Sequence, residues 1–340
     1  MLARLCAAAL AAVVASSVSA RADAVSDFYK GKTVTIVVPA GLGGSIGFYA
    51  LLLSHHIGKH IPGQPTVILA EHSGASGVRA ASYVHNAAPR DGSIIAQVLS
   101  NSLLAPLLQG AKFDPLTFEW LGSIDPRSSV IGVWHTAPAQ TLEAMKKTEV
   151  VLASGGRSAA TTIVPLMMNR MVGTRFRIVT GYKGGGSMNQ SVEQGETHGR
   201  YLYYSGWTTQ KPHWLKQGLV RIVLQVGPKI KDLPNVPSLH DLVKDPEHNQ
   251  MLDFVALSER VGLGFYVQSQ APKDRTAALR KAFEATMADP AFLAEAKSKN
   301  APVNPVSAAE LAAIVKRGYR IPPDVLQKMK VMVGLDKKKK

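Results

Sequence analysis

Residues 32–47 read KTVTIVVPAGLGGSIG, and the architecture follows from them. Thr33 to Val38 is a near-continuous β-branched and apolar run, the pattern of a strand covered on both faces, as in a parallel sheet with helices above and below. Pro39 ends it, because proline has no N–H for the ladder. Gly41, Gly43, Gly44 and Gly47 follow, and a helical pattern runs from Phe48 to about His60. A strand, a glycine turn and a helix start gather backbone N–H groups at one point, where the helix dipole adds partial positive charge. Such a turn is a seat for an anion.

Three other readings compete for this stretch. A dinucleotide fingerprint needs G-x-G-x-x-G, but Gly41-Leu42-Gly43 is followed by Gly44-Ser45-Ile46, so the third glycine is missing. Gly43-Gly44-Ser45-Ile46-Gly47 does satisfy G-x-S-x-G, the nucleophile elbow. An elbow serine, however, sits directly on the strand end, and here Pro39 to Gly44 intervene. The third reading is a turn whose glycines serve only positive φ and close packing. The anion seat is preferred.

Arg4, the apolar run Leu5 to Ala15, and Ser16-Ser17-Val18-Ser19-Ala20 form a secretory leader, with cleavage after Ala20 or Ala24. The apolar run is too short to span a bilayer. Cys6, the only cysteine, lies in this leader, so an exported chain would rely on no disulfide. The formal charge of the 340 residues is +15. Lys337 to Lys340 read as a solvated tail. The remaining excess favours an acidic partner: an anionic solute, an anionic membrane surface or nucleic acid. Nucleic acid is set aside, since no RNP, zinc-finger or basic-helix motif is present.

Strand and helix patterns then alternate. Thr66 to Ala70 is a strand, Glu71 to Gly77 a second glycine turn, Arg79 to Val84 a helix and Ile94 to Val98 a third strand. Short turns between such elements point to a parallel α/β sheet, whose ligands bind beyond the strand carboxyl ends. Phe118 to Ile124 and Val130 to Trp134 leave this unit. Val150 to Ala153 repeats the opening device: a strand, Ser154-Gly155-Gly156-Arg157-Ser158, and a helix from about Thr161. Phe176 to Thr180, the loop Gly181 to Ser187 and a helix from Met188 form a further βα unit. Gly199 to Ser205, Val220 to Val226 and Val261 to Val267 are strands, and Asp274 to Ala288 and Ala308 to Lys316 are helices. Two α/β lobes, each with an anion-seat turn, imply a cleft between them.

In this order the motifs resemble the Bug/TctC family, the extracytoplasmic solute receptors of tripartite tricarboxylate transporters. Val38-Pro39-Ala40-Gly41-Leu42-Gly43-Gly44 matches the family's opening turn. Glu71-His72-Ser73-Gly74-Ala75-Ser76-Gly77 resembles its second turn, and Pro89-Arg90-Asp91-Gly92-Ser93 its P-D-G-Y-T. Gly181-Tyr182-Lys183-Gly184-Gly185 matches its P-Y-K-G-G, and Ala278 to Phe283 with Asp289-Pro290-Ala291-Phe292 resemble its closing helix.

The resemblance implies an α/β, two-lobe type II periplasmic-binding-protein fold of the Venus flytrap kind, with parallel-type sheets and two hinge crossings. After a leader at 1–24, the first lobe would comprise 25–124 plus 253–340, and the second 125–252. The crossings are expected near Gly122–Asp125 and near Asp253–Ser258. It implies a carboxylate held through backbone N–H groups and waters at Gly41, Leu42, Gly43, Gly44 and Ser45, opposite Ser154, Gly155 and Ser158. Asn101 and Ser205 fall at further cleft positions. Delivery to the membrane subunits of a tripartite transporter, a periplasmic location and a monomeric state are also implied, with no cofactor, metal or enzymatic activity.

Departures from the family pattern concern charge. Gly47 replaces an aspartate, Ala40 an aromatic residue, Arg157 a glycine, and Thr161 an aspartate or histidine. Arg157 is thus a candidate to clamp a ligand carboxylate, against the plainer reading of an arginine extending to solvent at the rim.

His56 and His60 have the i, i+4 spacing of a metal pair, but no third ligand lies at a fitting offset, and a solvated polar face is the expectation. Trp207 reads as either a cleft cap or core. The alternative function, a secreted α/β hydrolase using Ser45, requires a histidine and an acidic orienter beside it.

Overall fold

The computed structural model describes residues 24–336, without the side chains of Ser100 and Asn101. The secretory-leader reading and the Lys337 to Lys340 tail therefore lie outside the described residues, apart from Ala24. No helix among the described residues is long and apolar enough to cross a membrane.

Among the described residues, eleven strands form two sheets. In chain order they are β1 (Thr33–Val38), β2 (Thr66–Glu71), β3 (Ile94–Gln97), β4 (Glu119–Ser123), β5 (Ser129–Trp134) and β6 (Val150–Ser154). These are followed by β7 (Phe176–Thr180), β8 (Gly199–Tyr203), β9 (Val220–Val226), β10 (Gly264–Val267) and β11 (Val306–Ser307). The first sheet has the order β11-β4-β10-β3-β1-β2, and the second β7-β6-β8-β5-β9.

β1 is parallel to both β2 and β3, as a double-covered strand requires. Val34, Ile36 and Val38 pack on one face with Tyr49, Leu52 and Leu53 of the helix Ser45–Ile57. Val37 faces the other way, towards Ala80, Ala81 and Val84 of the helix Val78–Asn86. Each aliphatic side chain fully buried in this way contributes about 2 kcal/mol. In the second sheet β6 is parallel to β7 and β8.

The parallel cores carry antiparallel additions. β10 runs against β3 and β4, and β11 against β4. β5 runs against β8 and β9. Antiparallel strands enter where the chain passes from one sheet to the other and returns, so both sheets are mixed.

The two passages lie side by side. Between β4 and β5, Arg127 N–H donates to Glu259 O at 2.8 Å, and Leu263 N–H donates to Asp125 O at 3.0 Å. Gly262, at φ +54°, must be glycine, since a Cβ there would stand 2.1 Å from Asp125 O. The return passage is helical. Pro246–Val255 packs on the helix Ala160–Met171 of the second sheet, and Leu257–Val261 on the Ser100–Leu104 turn of the first. The sequence pattern missed both helices and extended β10 back to Val261. The C-terminal helix Pro323–Met332 touches Ala105–Gln109 beside the first sheet and Ala160–Met171 beside the second.

Helix starts were also placed late in the sequence pattern. The first helix begins at Ser45, and the one after Gly181 begins at Gly185 rather than Met188. Glycine and serine have weak helix propensity, but at a first turn they cost little. For the same reason β8 ends at Tyr203, and Ser205 lies in the helix Tyr204–Gln210 instead of a strand.

Candidate functional site

The first turn spans Ala40 to Gly44 at the carboxyl end of β1. Gly44 N–H donates to Gly41 O at 3.2 Å, and Gly44 caps the 13-residue helix that starts at Ser45. No acidic residue stands in that helix's first turn. Leu42 N–H donates to the Glu71 carboxylate at 3.3 Å, so the turn already holds one anion of its own. Gln97, buried at the end of β3, braces the helix start by donating Nε2–H to Ile46 O at 3.1 Å.

The glycines of this turn divide into two kinds. A Cβ on Gly47 would fall 2.3 Å from Leu42 O and 2.4 Å from Leu42 Cα, so Gly47 is required by packing. The aspartate that the resemblance places there is excluded by the backbone lying against it. Gly41 and Gly43 have neither constraint. Their φ values lie outside the left-handed region, and a Cβ on either would meet nothing within 4 Å. Their bare backbone faces open space.

The second turn, at the end of β6, behaves similarly. Ser154 is buried, with its Oγ 2.6 Å from both Thr161 Oγ1 and Thr162 Oγ1, which fixes the start of the helix Ala160–Met171. Its hydroxyl is thus engaged within its own lobe, and the exposed part of the turn is Gly155 and Arg157, with Ser158 half-buried. Tyr182 N–H donates to Ser154 O at 3.3 Å, which seats the Gly181–Gly184 loop beside this turn. Arg157 forms no ion pair among the described residues. Asn101 lies in the 3₁₀ turn Ser100–Leu104, and its side chain is outside the described part.

The connection between the lobes is made by a residue that the sequence pattern did not single out. Arg127, on the first crossing, donates Nη2–H to Ser45 Oγ at 2.9 Å. Its guanidinium stands 5.5 Å from the Tyr49 ring centroid and 4.9 Å from that of Tyr203, so it touches both lobes. It is 3% exposed, and its buried Nε has no hydrogen-bond partner among the described residues. Burial holds its pKa below the usual arginine range. Asp125 makes no ion pair with it. Burial pushes the Asp125 carboxyl up to about 6, against the Asn304 Nδ2 donor at 2.7 Å and the nearby Arg127. Ser205, two residues beyond Tyr203, also keeps a buried Oγ with no partner among the described residues. The one sequence signal was a cationic residue within the short crossing Asp125-Pro126-Arg127-Ser128, between two apolar strands.

This geometry removes the serine-nucleophile arrangement. Ser45 Oγ is bonded to an arginine, which cannot take its proton, and no histidine is bonded to it among the described residues. The histidines of that helix face elsewhere. His55 and His56 reach the two Glu295 oxygens at 3.1 and 2.7 Å, and His60 reaches Asp289 at 3.0 Å. The expected solvated face is a hydrogen-bonded helix contact, because the helix Pro290–Ser298 packs across it. Trp207 is core: it is fully buried against Gly132 and donates to Asn189 Oδ1 at 3.1 Å.

Two mixed sheets joined by two adjacent passages, with helix-opening turns at their strand ends, define a periplasmic-binding-protein fold of the Bug/TctC type. The structure is similar to that of the periplasmic binding protein BugD, with TM-score 0.69, 22% identity, and coverage of 91% of this chain and 100% of that one. It is also similar to Rpa4515 of R. palustris, solved with adipate (TM-score 0.64, 17% identity, 89% and 97% coverage). MatC of Rhodopseudomonas palustris, solved with malate, gives TM-score 0.66, 16% identity, and 89% and 99% coverage. No family model matches the chain, and no curated protein does.

Proposed function

We propose that the protein is a periplasmic solute-binding receptor that takes a small carboxylate between its lobes and passes it to the membrane subunits of a tripartite transporter. The observation that carries this reading is the open space over Gly41 and Gly43 at a helix N-terminus. Neither backbone strain nor packing accounts for glycine there, whereas close approach of a ligand to main-chain N–H groups does. The lobes divide at the crossings near Asp125 and Ala256. The ligand contacts come from the Gly41–Ser45 turn on one side and from Gly155, Arg157, Ser158 and Ser205 on the other, with Asn101 and the Ser154 backbone adjoining. The cationic balance of the chain suits an anionic solute. Binding of adipate and malate by proteins of this fold directs the choice of ligands to C4–C6 dicarboxylates.

The test is a thermal-shift and calorimetric screen of the mature protein against succinate, malate, glutarate and adipate, alongside Gly43→Ala. A ligand specific to the folded form raises Tm by mass action. Gly43→Ala should leave the Tm of the ligand-free protein unchanged or slightly raised, by up to about 1 kcal/mol of stability, since alanine restricts the unfolded chain. It should weaken ligand binding about tenfold. Unaltered affinity would remove the turn from the site.

A further inference from the structure

We propose that Arg127 is the charged anchor for an oxyanionic group of the ligand, a carboxylate under the receptor reading on which this inference rests. A buried guanidinium is normally matched by a carboxylate or by acceptors for all its donors. Arg200 meets part of this need. It is buried in the second lobe, where Nη1 donates to Gly185 O and Asn189 Oδ1 and fixes the start of a helix within that lobe. Arg127 is different. Its Nε is unpartnered, as is that of Arg200, but Arg127 has a single hydroxyl acceptor and stands between two aromatic rings, one from each lobe, with no ion pair among the described residues.

The vacant donor is also the relevant one. Nε–H and the adjacent Nη2–H form the side-on fork of a guanidinium, which matches the two oxygens of a carboxylate. Nη2 of Arg127 reaches the first turn by donating to Ser45 Oγ. Nη2 has a second hydrogen, so Ser45 can stay bonded while the fork takes a carboxylate. Tyr49 from the first lobe and Tyr203 from the second flank the group and exclude water, which strengthens a charged pair. The unpartnered Ser205 Oγ, two residues from Tyr203, offers a further donor. Arg127 lies on the crossing itself and is bonded through its N–H to Glu259 O on the return passage. An anion held there therefore bridges the lobes at their pivot.

The experiment compares wild type with Arg127→Met and Arg127→Lys in two measurements. The first is Tm without ligand. A charge buried to await its ligand destabilises the empty protein, so Arg127→Met should melt higher than wild type; a fall of several degrees would make Arg127 a structural brace and overturn the proposal. The second is calorimetric titration with succinate, malate, glutarate and adipate, with sulfate and phosphate as non-carboxylate oxyanions. Arg127→Met should lose at least 100-fold in affinity and Arg127→Lys about tenfold, since lysine keeps charge but not the fork. Dicarboxylate binding equal in wild type and Arg127→Met would overturn the anchor and leave the receptor reading intact. Binding of sulfate or phosphate alone, lost in Arg127→Met, would support the anchor and overturn the carboxylate reading.

Discussion

Gly47 and Gly43 stand four residues apart in one turn and have opposite reasons to be glycine. At Gly47 the reason is internal, since the Leu42 backbone occupies the place of a Cβ. Gly47→Ala should therefore destabilise the fold by about 1–3 kcal/mol, as overpacking does. Denaturant unfolding would show it as a lower midpoint at unchanged slope. A midpoint equal to wild type would mean that the turn shifts aside freely. The sequence showed four glycines and could not sort them, because spacing along a chain does not say which carbonyl returns to which Cα. Arg127 was hidden for a related reason. Its meaning depends on Ser45, 82 residues away, and on the lack of a paired carboxylate, neither of which is a local property.

At the scale of elements, the helix Ser45–Ile57 and its 3₁₀ extension Gly58–His60 are tied to the helix Pro290–Ser298 by charge. Lys59 and His60 converge on Asp289, and His55 and His56 on Glu295. The hydrogen bonds from Lys59 and His60 hold the Asp289 carboxyl well below the usual range. At Glu295 partial burial pushes upward, but the His56 and His55 bonds outweigh it and leave the carboxyl lowered. Groups depressed on folding contribute stability above their unfolded values, near pH 4, and lose it as pH falls through the folded ones. Melting temperature should thus drop below about pH 4, and Asp289→Asn should flatten that drop while leaving the five-stranded sheet intact by amide exchange. An acid limb as steep as that of wild type would assign the effect to other carboxylates.

The helix Ser45–Ile57 was legible from its pattern, whereas Pro290–Ser298 was touched only through the resemblance of Asp289-Pro290-Ala291-Phe292 to the family's closing helix, although Asp289 is a cap followed by proline at the first helical position. Strand positions were legible too, since β-branched runs such as Thr33 to Val38 have few alternatives. The residues 246–261 were not. Their two short helices meet at Ala256 with little amphipathic length, and their helical form is set by packing against both lobes.

For the whole molecule the sensitive point is the pair of passages. Glu259 is fully buried there, with Oε1 accepting from Ser129 Oγ at 3.0 Å and from Tyr201, and with Oε2 unpartnered. Burial pushes its pKa up to about 7. A carboxyl raised on folding costs nothing below its unfolded value, and the cost grows until pH passes the folded one. Stability should therefore fall between roughly pH 4 and 7, by on the order of 3 kcal/mol if the whole shift is expressed. Glu259→Gln should remove most of this slope, leaving the smaller part due to Asp125, and urea midpoints measured from pH 5 to 8 would show it. A slope that persists in full in Glu259→Gln would assign it elsewhere, with Asp125 the next group to test.

The order of strands has a temporal consequence. The five-stranded sheet uses an unbroken segment, 129–226, whereas the six-stranded sheet places β10 between β3 and β4 and cannot be completed without residues 264–267. A chain that emerges N-terminus first can finish the later sheet before the earlier one. Until β10 arrives, β3 and β4 have open edges on a half-built sheet, the surface on which a partly folded chain aggregates. From the emergence of β4 at residue 123 until that of β10 at residue 264 is when this protein most needs a chaperone.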